Sequence, residues 1–219
     1  MVNRVIRHLV MSDFMLFFSV GMIAPIFAIF ILKAIPGSSL RVIGLSAAFY
    51  WIARTLSTVP LSRFMDKTDG ERDEFYFMVI GSFIFSSIPL FYLFINQAWH
   101  LYLIQFIGGL ANSMAVPAWR ILFTDHLDRG KTGYEWSLED IGVGTATALS
   151  AYLGSIVAER FGFEMVFVLL AILGYAGTMI LIPIYHEAKT LAQIKRANRL
   201  EAILEKRKNL APVKIEERN

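Results

Sequence analysis

Apolar residues along this chain come in long, unbroken runs separated by short polar stretches. Runs free or almost free of charge occupy roughly residues 9–32, 42–61, 75–95, 98–119, 141–158 and 165–185. Each holds about 20 residues, the length of helix that crosses about 30 Å of hydrocarbon. The pattern predicts an all-α, polytopic membrane protein. It reads as a bundle of six transmembrane helices over about 9–33, 41–61, 75–95, 99–122, 139–159 and 163–185, closed by a basic helical tail over 187–219.

Turn chemistry places the connections. Ile35-Pro36-Gly37-Ser38-Ser39 ends span 1, and Pro60 ends span 2 ahead of a charged loop from Ser62 to Glu74. A tight turn, Asn96 to His100, joins spans 3 and 4, with Trp99 and Tyr102 suited to the interfacial aromatic belt. A polar loop from Thr124 to Glu139 joins spans 4 and 5, and Glu159 to Glu164 joins spans 5 and 6.

The spans differ in character. Spans 3 and 6 are bulky and apolar all round, which predicts helices turned largely to lipid. Span 5 instead repeats small residues every fourth position, at Gly142, Ala146, Ser150, Gly154 and Ala158. Such a ridge lets another helix backbone approach closely, and span 4 has a shorter version in Gly108, Gly109, Ala111 and Ala115. A weak internal repeat pairs Met22-Ile23-Ala24-Pro25 with Met114-Ala115-Val116-Pro117. With three spans in each repeat the second would insert upside down, giving two inverted three-helix repeats.

Composition sharpens the class. The chain has 219 residues, is 56% hydrophobic and 18% charged, and contains 18 Phe and no Cys. Its mean hydropathy is +0.54. Soluble domains are nearer 45–50% apolar. Disorder, collagen, coiled coil and nucleic-acid binding are excluded on these grounds, and so are disulfides and thiolate sites. The first apolar run lacks a convincing cleavage site, so it is expected to stay as the first membrane helix. Four scattered His residues show no ligand spacing, and no Gly-rich phosphate loop is present. No metal, cofactor or catalytic constellation is therefore expected, and the chain does not read as an enzyme.

Charge sets the expected orientation. Residues 187–219 carry nine Lys/Arg and five acids, so the net +3 of the chain resides in that tail. Counting the loops without the tail, eight basic residues lie on the side of the termini and three on the other. The positive-inside rule then puts both termini in the cytoplasm of a multi-pass protein of the cell membrane.

Arg54 is the basic residue that lies well inside a span rather than at its end. An intramembrane Arg usually faces a partner or a cavity. Asp13 lies at a compatible depth in span 1, so the two are expected to pair as a gate, the alternative being that Arg54 snorkels to the interface. Glu139 and Asp140 read as first-turn acids that complement a helix dipole, with Ser137 as N-cap. Tyr50, Trp51, Gln105, Asn112, Ser113, Thr145 and Thr147 form a polar set on spans 2, 4 and 5. They are candidates for a cavity lining, or equally for interhelical hydrogen bonds.

The loop Pro60-Leu61-Ser62-Arg63-Phe64-Met65-Asp66-Lys67-Thr68-Asp69-Gly70-Glu71-Arg72 carries a family signature: a small residue, Asp, a base, Gly and a further base. Gln105-Phe106-Ile107-Gly108-Gly109-Leu110-Ala111-Asn112 in span 4, Phe161-Gly162-Phe163 with Phe167, and Pro183 with Glu187 agree with it in order and spacing. Over about residues 10–190 the chain resembles the amino-terminal six-helix half of a major facilitator superfamily transporter. Gln105 stands where that family has Arg, so a proton-coupling role of that Arg is not carried over. The resemblance implies that Asp66, Lys67, Gly70 and Arg72 form the inter-half loop motif. It implies that Asp66 meets a helix N-terminus of the opposite half and a nearby Arg, with Arg72 and Arg120 as candidates.

The family fold has two such halves with substrate between them. The resemblance therefore implies small-solute transport by alternating access, with a homodimer or a second transporter half completing the site. The alternatives are a truncated product or a transport-inactive membrane scaffold that binds a partner. The expected partners are the lipid bilayer, a second half and an unknown small solute.

Overall fold

The computed structural model describes residues 2–67 and 70–188. They form α1 (Arg4–Ile23), α2 (Phe27–Ala34), α3 (Leu40–Met65), α4 (Arg72–Tyr92), α5 (Ala98–Asp125), α6 (Thr132–Leu181) and a closing 3₁₀ turn, Ile182–His186. No strand occurs among the described residues. The apolar runs are helical, as a lipid environment requires of a backbone that must satisfy its own hydrogen bonds. The expected tail helix lies, from residue 189 onward, outside the described residues.

The boundaries differ from expectation in four places, each for a local reason. Span 1 is two helices. Pro25 has no N–H to continue the ladder, Ile26 N bonds back only to Ile23 O at 3.0 Å, and the helix restarts at Phe27. Pro60 does not end span 2, because α3 continues through it to Met65. A proline costs one ladder bond, and helices in membranes absorb that loss.

The loop expected over 124–139 shrinks, since α5 runs to Asp125 and α6 starts at Thr132. Glu139 and Asp140 consequently lie about two turns inside α6 rather than in its first turn. The first-turn acid is Glu135, and Ser137 donates to Gly133 O at 2.8 Å instead of capping the helix. Spans 5 and 6 are separated by one non-helical residue, Gly162, with φ 82° and ψ 171°. That region of backbone space is essentially reserved for glycine.

α1 packs along α6, α6 against α4, α4 against α5, and α5 against α3. The helices thus follow an arc whose two ends, α1 and α3, face a shared concavity. This order gives span 3 an exposed apolar side, with Tyr76, Ile80, Phe83 and Phe91, and a buried one. Its helix, α4, sits mid-arc and buries Met78, Gly81, Ser82, Ser86 and Ile88, while α3 is the least buried span. The buried side follows from small residues, with Gly81 close to Ala111 and Ala115 of α5 and Ser86 beside Gly174 of α6. Span 6 likewise buries a full face, from Val166 and Phe167 to Thr178 and Leu181.

The α1–α6 seam is built from the predicted small-residue ridge. A Cβ on Gly154 would strike the Met22 backbone. Ser12 Oγ donates to Gly177 O at 2.9 Å and Ser19 Oγ to Leu170 O at 2.8 Å, which staples α1 to the second half of α6. Across the arc, Gly109 of α5 lies so near the Tyr50 carbonyl of α3 that a side chain there would collide.

Two apolar clusters fill the ends of the bundle. Ile6, Leu9, Met65, Leu122 and Phe123 lie at the end where α1 begins and the 3₁₀ turn finishes. Ile31, Phe30, Leu101 and Phe167 lie at the other, with the Phe30 and Phe167 rings 4.6 Å apart, edge to face. At the former end, Asn3 caps α1 by accepting from Val5 N at 3.0 Å, and it donates to His126 O at 3.2 Å. His126 Nε2 in turn lies 3.7 Å from Glu71 Oε2, joining the α3–α4 loop to the α5–α6 turn. In that turn Lys131 Nζ sits 3.0 Å from Asp128 and holds its carboxyl below the ordinary range.

Candidate functional site

Two hollows open along the concave side of the arc. The first, about 470 Å³, lies nearer the end where α1 begins and draws on every long helix, with Asp13 from α1, Arg54 from α3, Ser82 from α4, Asn112 and Trp119 from α5, and Glu139 from α6. The second, about 310 Å³, is lined largely by apolar and aromatic side chains, among them Phe27, Tyr50, Trp51, Phe85 and Tyr92, with Gln105 as a polar member. Leu16, Val20, Tyr50 and Phe85 line both, so the hollows meet at these four side chains.

Within the first hollow the polar groups are unequally served. Trp119 Nε1, Asn112 Oδ1 and Glu139 Oε2 are buried and find no hydrogen-bond partner among the described residues. Trp119 and Glu139 are only 9% and 6% exposed. A buried polar group left unpaired costs about 1–3 kcal/mol, so their grouping around one hollow calls for an explanation. They comprise one donor and two acceptors. The wall beside them is aromatic, with Trp119 and Trp136 ring centroids 6.3 Å apart and Trp136 4.6 Å from Phe123.

Asp13 and Arg54 share this hollow, but no ion pair joins them among the described residues. The Asp13 carboxyl instead meets that of Glu139 across the α1–α6 seam. The Arg54 guanidinium lies over the Trp51 ring, 5.0 Å from its centroid, a cation–π contact within its own helix. The lengthening of α6 produces this exchange of partners. Glu139, expected at the membrane boundary, is carried two turns into the helix and reaches the level of Asp13.

The rest of the polar set divides. Tyr50, Trp51, Gln105 and Asn112 line the hollows. Ser113 does not. It is fully buried between α5 and α3, with its Oγ 2.7 Å from Leu110 O and 3.1 Å from Ser57 Oγ. Thr145 and Thr147 are exposed and line neither hollow, because the ridge residue between them, Ala146, is the one turned into the bundle. Sequence reasoning missed Phe17, Phe85, Trp136 and the inward role of Glu139. The signal for Glu139 was its four-residue spacing to Val143, which lines the same hollow.

The loop motif lies at the end where α1 begins. Asp66 follows the last residue of α3, and its N–H bonds to Ser62 O at 2.9 Å. Lys67 and Gly70 lie in the α3–α4 loop, and Arg72 is the first residue of α4. The Arg72 guanidinium sits over Tyr185, 4.9 Å from the ring centroid, and Arg120 borders the first hollow. Among the described residues no ion pair joins Asp66, Lys67, Arg72 or Arg120 to one another. No grouping of three His, Cys, Asp or Glu suited to a metal ion occurs among the described residues.

This geometry agrees with what the chain is similar to. The Major Facilitator Superfamily profile matches residues 9–215. An uncharacterised MFS-type transporter of Methanocaldococcus jannaschii, MJ1560, is 22% identical over 169 residues, covering 77% of this chain and 42% of that protein. An uncharacterised MFS-type transporter of Bacillus subtilis, YitZ, is 22% identical over 166 residues, covering 76% of this chain and 98% of that protein. The multidrug resistance protein MdtG of Dickeya zeae is 28% identical over 176 residues, covering 75% and 41%. The chain thus spans about two fifths of the length of two of these relatives and nearly all of the third. Among solved structures, the POT family transporter PepTSo shares the fold with a TM-score of 0.66 at 15% identity, over 86% of this chain and 38% of that one. Profile, relatives and helical arc converge: this chain is a multi-pass membrane protein and a member of the Major Facilitator Superfamily.

Proposed function

We propose that this chain is one lobe of a solute transporter and that its concave face forms half of the transport pathway. The observation that carries this reading is the first hollow. Three buried polar atoms, on Asn112, Trp119 and Glu139, border a space open to one side, beside an aromatic wall. A transport-inactive scaffold would be expected to fill that face with large apolar side chains. A small solute offering both a donor and an acceptor satisfies these atoms in a way the lobe does not. The partner that closes the face is a second six-helix unit, either another copy of this chain or a separate half, and the two lobes rock to alternate access. The lobe itself is read as two inverted three-helix repeats. The charge count puts both termini on the cytoplasmic side of the cell membrane.

Proteoliposomes test the proposal. Solutes that raise the melting temperature of the detergent-solubilised chain are screened first. Those found are then measured for uptake with native protein and with Asn112→Ala and Trp119→Phe. Uptake that falls in both variants at unchanged helical content supports the pathway. Uptake indifferent to both variants, or absent for every stabilising solute, removes it. Cross-linking in native membranes reports the second lobe, and a strictly monomeric chain that still transports would exclude the paired arrangement.

A further inference from the structure

A third concavity lies on the outer side of the bundle, away from the transport face. Arg7, His8 and Met11 of α1 form one wall, and Ile180 of α6 and Pro183 of the 3₁₀ turn form the other. On α1 these residues stand at i, i+1 and i+4, so they share one helix face. The groove changes character along its length. Arg7 and His8 precede or border the start of the first apolar run, while Met11, one turn further, is half exposed within it. Four residues of helix rise about 6 Å, so a cationic mouth sits one turn from an apolar floor.

The cationic mouth is available. Arg7 is exposed, and no acidic side chain lies within ion-pair distance of it among the described residues. The nearby Arg4 is instead paired with Glu187 at 3.5 Å. The Nδ1 of His8 donates to the Arg4 carbonyl at 2.8 Å, an assignment that follows because a carbonyl can only accept, and this leaves Nε2 as the remaining polar atom of the ring.

We propose that this groove is a binding site for an anionic phospholipid, with the phosphate against Arg7 and His8 and an acyl chain along Met11, Ile180 and Pro183. Charge complementarity selects the class. A zwitterionic headgroup gains less from the exposed Arg7 guanidinium, and a water-soluble phosphate makes no use of the apolar floor. Basic pockets between transmembrane helices are suited to such headgroups. Occupancy would bridge α1 to the end of α6, next to the Arg4–Glu187 contact.

The test uses the full chain, purified in detergent and stripped of lipid. Phosphatidylglycerol or phosphatidylcholine with identical acyl chains is added, and retained lipid is counted by native mass spectrometry. Native protein is expected to hold phosphatidylglycerol about tenfold more tightly than phosphatidylcholine. Arg7→Gln/His8→Gln is expected to lose that preference without changing phosphatidylcholine retention. The double variant keeps the basic segment after residue 188, so any general attraction by that segment cancels. Met11→Trp fills the floor while leaving both charges, and should also release phosphatidylglycerol; it keeps the test decisive should the double variant fail to fold. The proposal is overturned if the variants retain phosphatidylglycerol like the native chain, or if native protein holds both lipids equally. It is overturned too if soluble glycerol 3-phosphate binds as well as the lipid, or if a second copy occupies the groove in place of lipid.

Discussion

The carboxyl of Asp13 meets that of Glu139 rather than the guanidinium that charge alone would assign to it. Arg54, of opposite sign and lining the same hollow, is turned onto Trp51 instead. The first hollow therefore keeps its acidic wall, formed by α1 and α6, apart from its basic groups, Arg54 on α3 and Arg120 on α5. The two sets belong to opposite ends of the helical arc, so the separation is a property of the fold rather than of either side chain.

This arrangement sets a double-mutant test. Asp13→Asn and Glu139→Gln remove groups in direct contact, and their effects on stability in detergent should be non-additive by about 0.5–3 kcal/mol. Asp13→Asn with Arg54→Gln should add to within about 0.5 kcal/mol. The reverse ranking would restore the Asp13–Arg54 gate.

The α1–α6 seam is tight at Gly154, where a Cβ meets the Met22 backbone, and open at Gly144, where nothing lies within 4 Å. Gly154→Val should lower stability by about 1–3 kcal/mol, since the obstruction is backbone and cannot swing away. Gly144→Val should change it little. Thermal melting of the two variants in one detergent compares them directly, and equal melting temperatures would refute the close approach.

Gly162 alone separates the two halves of α6, at φ 82°. Gly162→Ala should cost about 1–3 kcal/mol through backbone strain, although nothing lies within 4 Å of the position to crowd a methyl group. Because the space is open, a loss of this size can come only from the backbone. A neutral substitution, read by melting temperature, would argue against the break.

Ser12 and Ser19 staple α1 to the carbonyls of Gly177 and Leu170. Each Ser→Ala change should cost roughly 0.6 kcal/mol and no more than about 1.7 kcal/mol, the range for interhelical hydrogen bonds in membranes. The two sites are two turns apart on α1, so the losses should add. Unfolding in mixed micelles measures both.

Much of this molecule was readable before any coordinates. Runs of about 20 apolar residues dictate membrane helices because lipid offers a backbone no other hydrogen-bond partner. The four-residue ridge from Gly142 to Gly154 announced a close helix contact, since small side chains are what permit one. Tyr50, Trp51, Gln105 and Asn112 stood out as candidates because polar side chains within a span tend to face something other than lipid, and all four border the two hollows.

Only the tertiary structure decided which neighbour each face would meet. Composition made α4 look apolar all round, yet Gly81 turned to α5 and Ser86 turned to α6 set it mid-arc. Polarity made 124–139 look like a loop, yet the stretch from Thr132 is helical, and that register moved Glu139 beneath Asp13. Thr145 and Thr147 turned outward because Ala146 took the inward position. For the apolar spans the sequence determined that a helix would form, though not, as 132–139 shows, where each would start. The azimuth of that helix, and so the partner of every polar group on it, was set by backbone close packing between segments more than a hundred residues apart, a quantity that no local pattern contains.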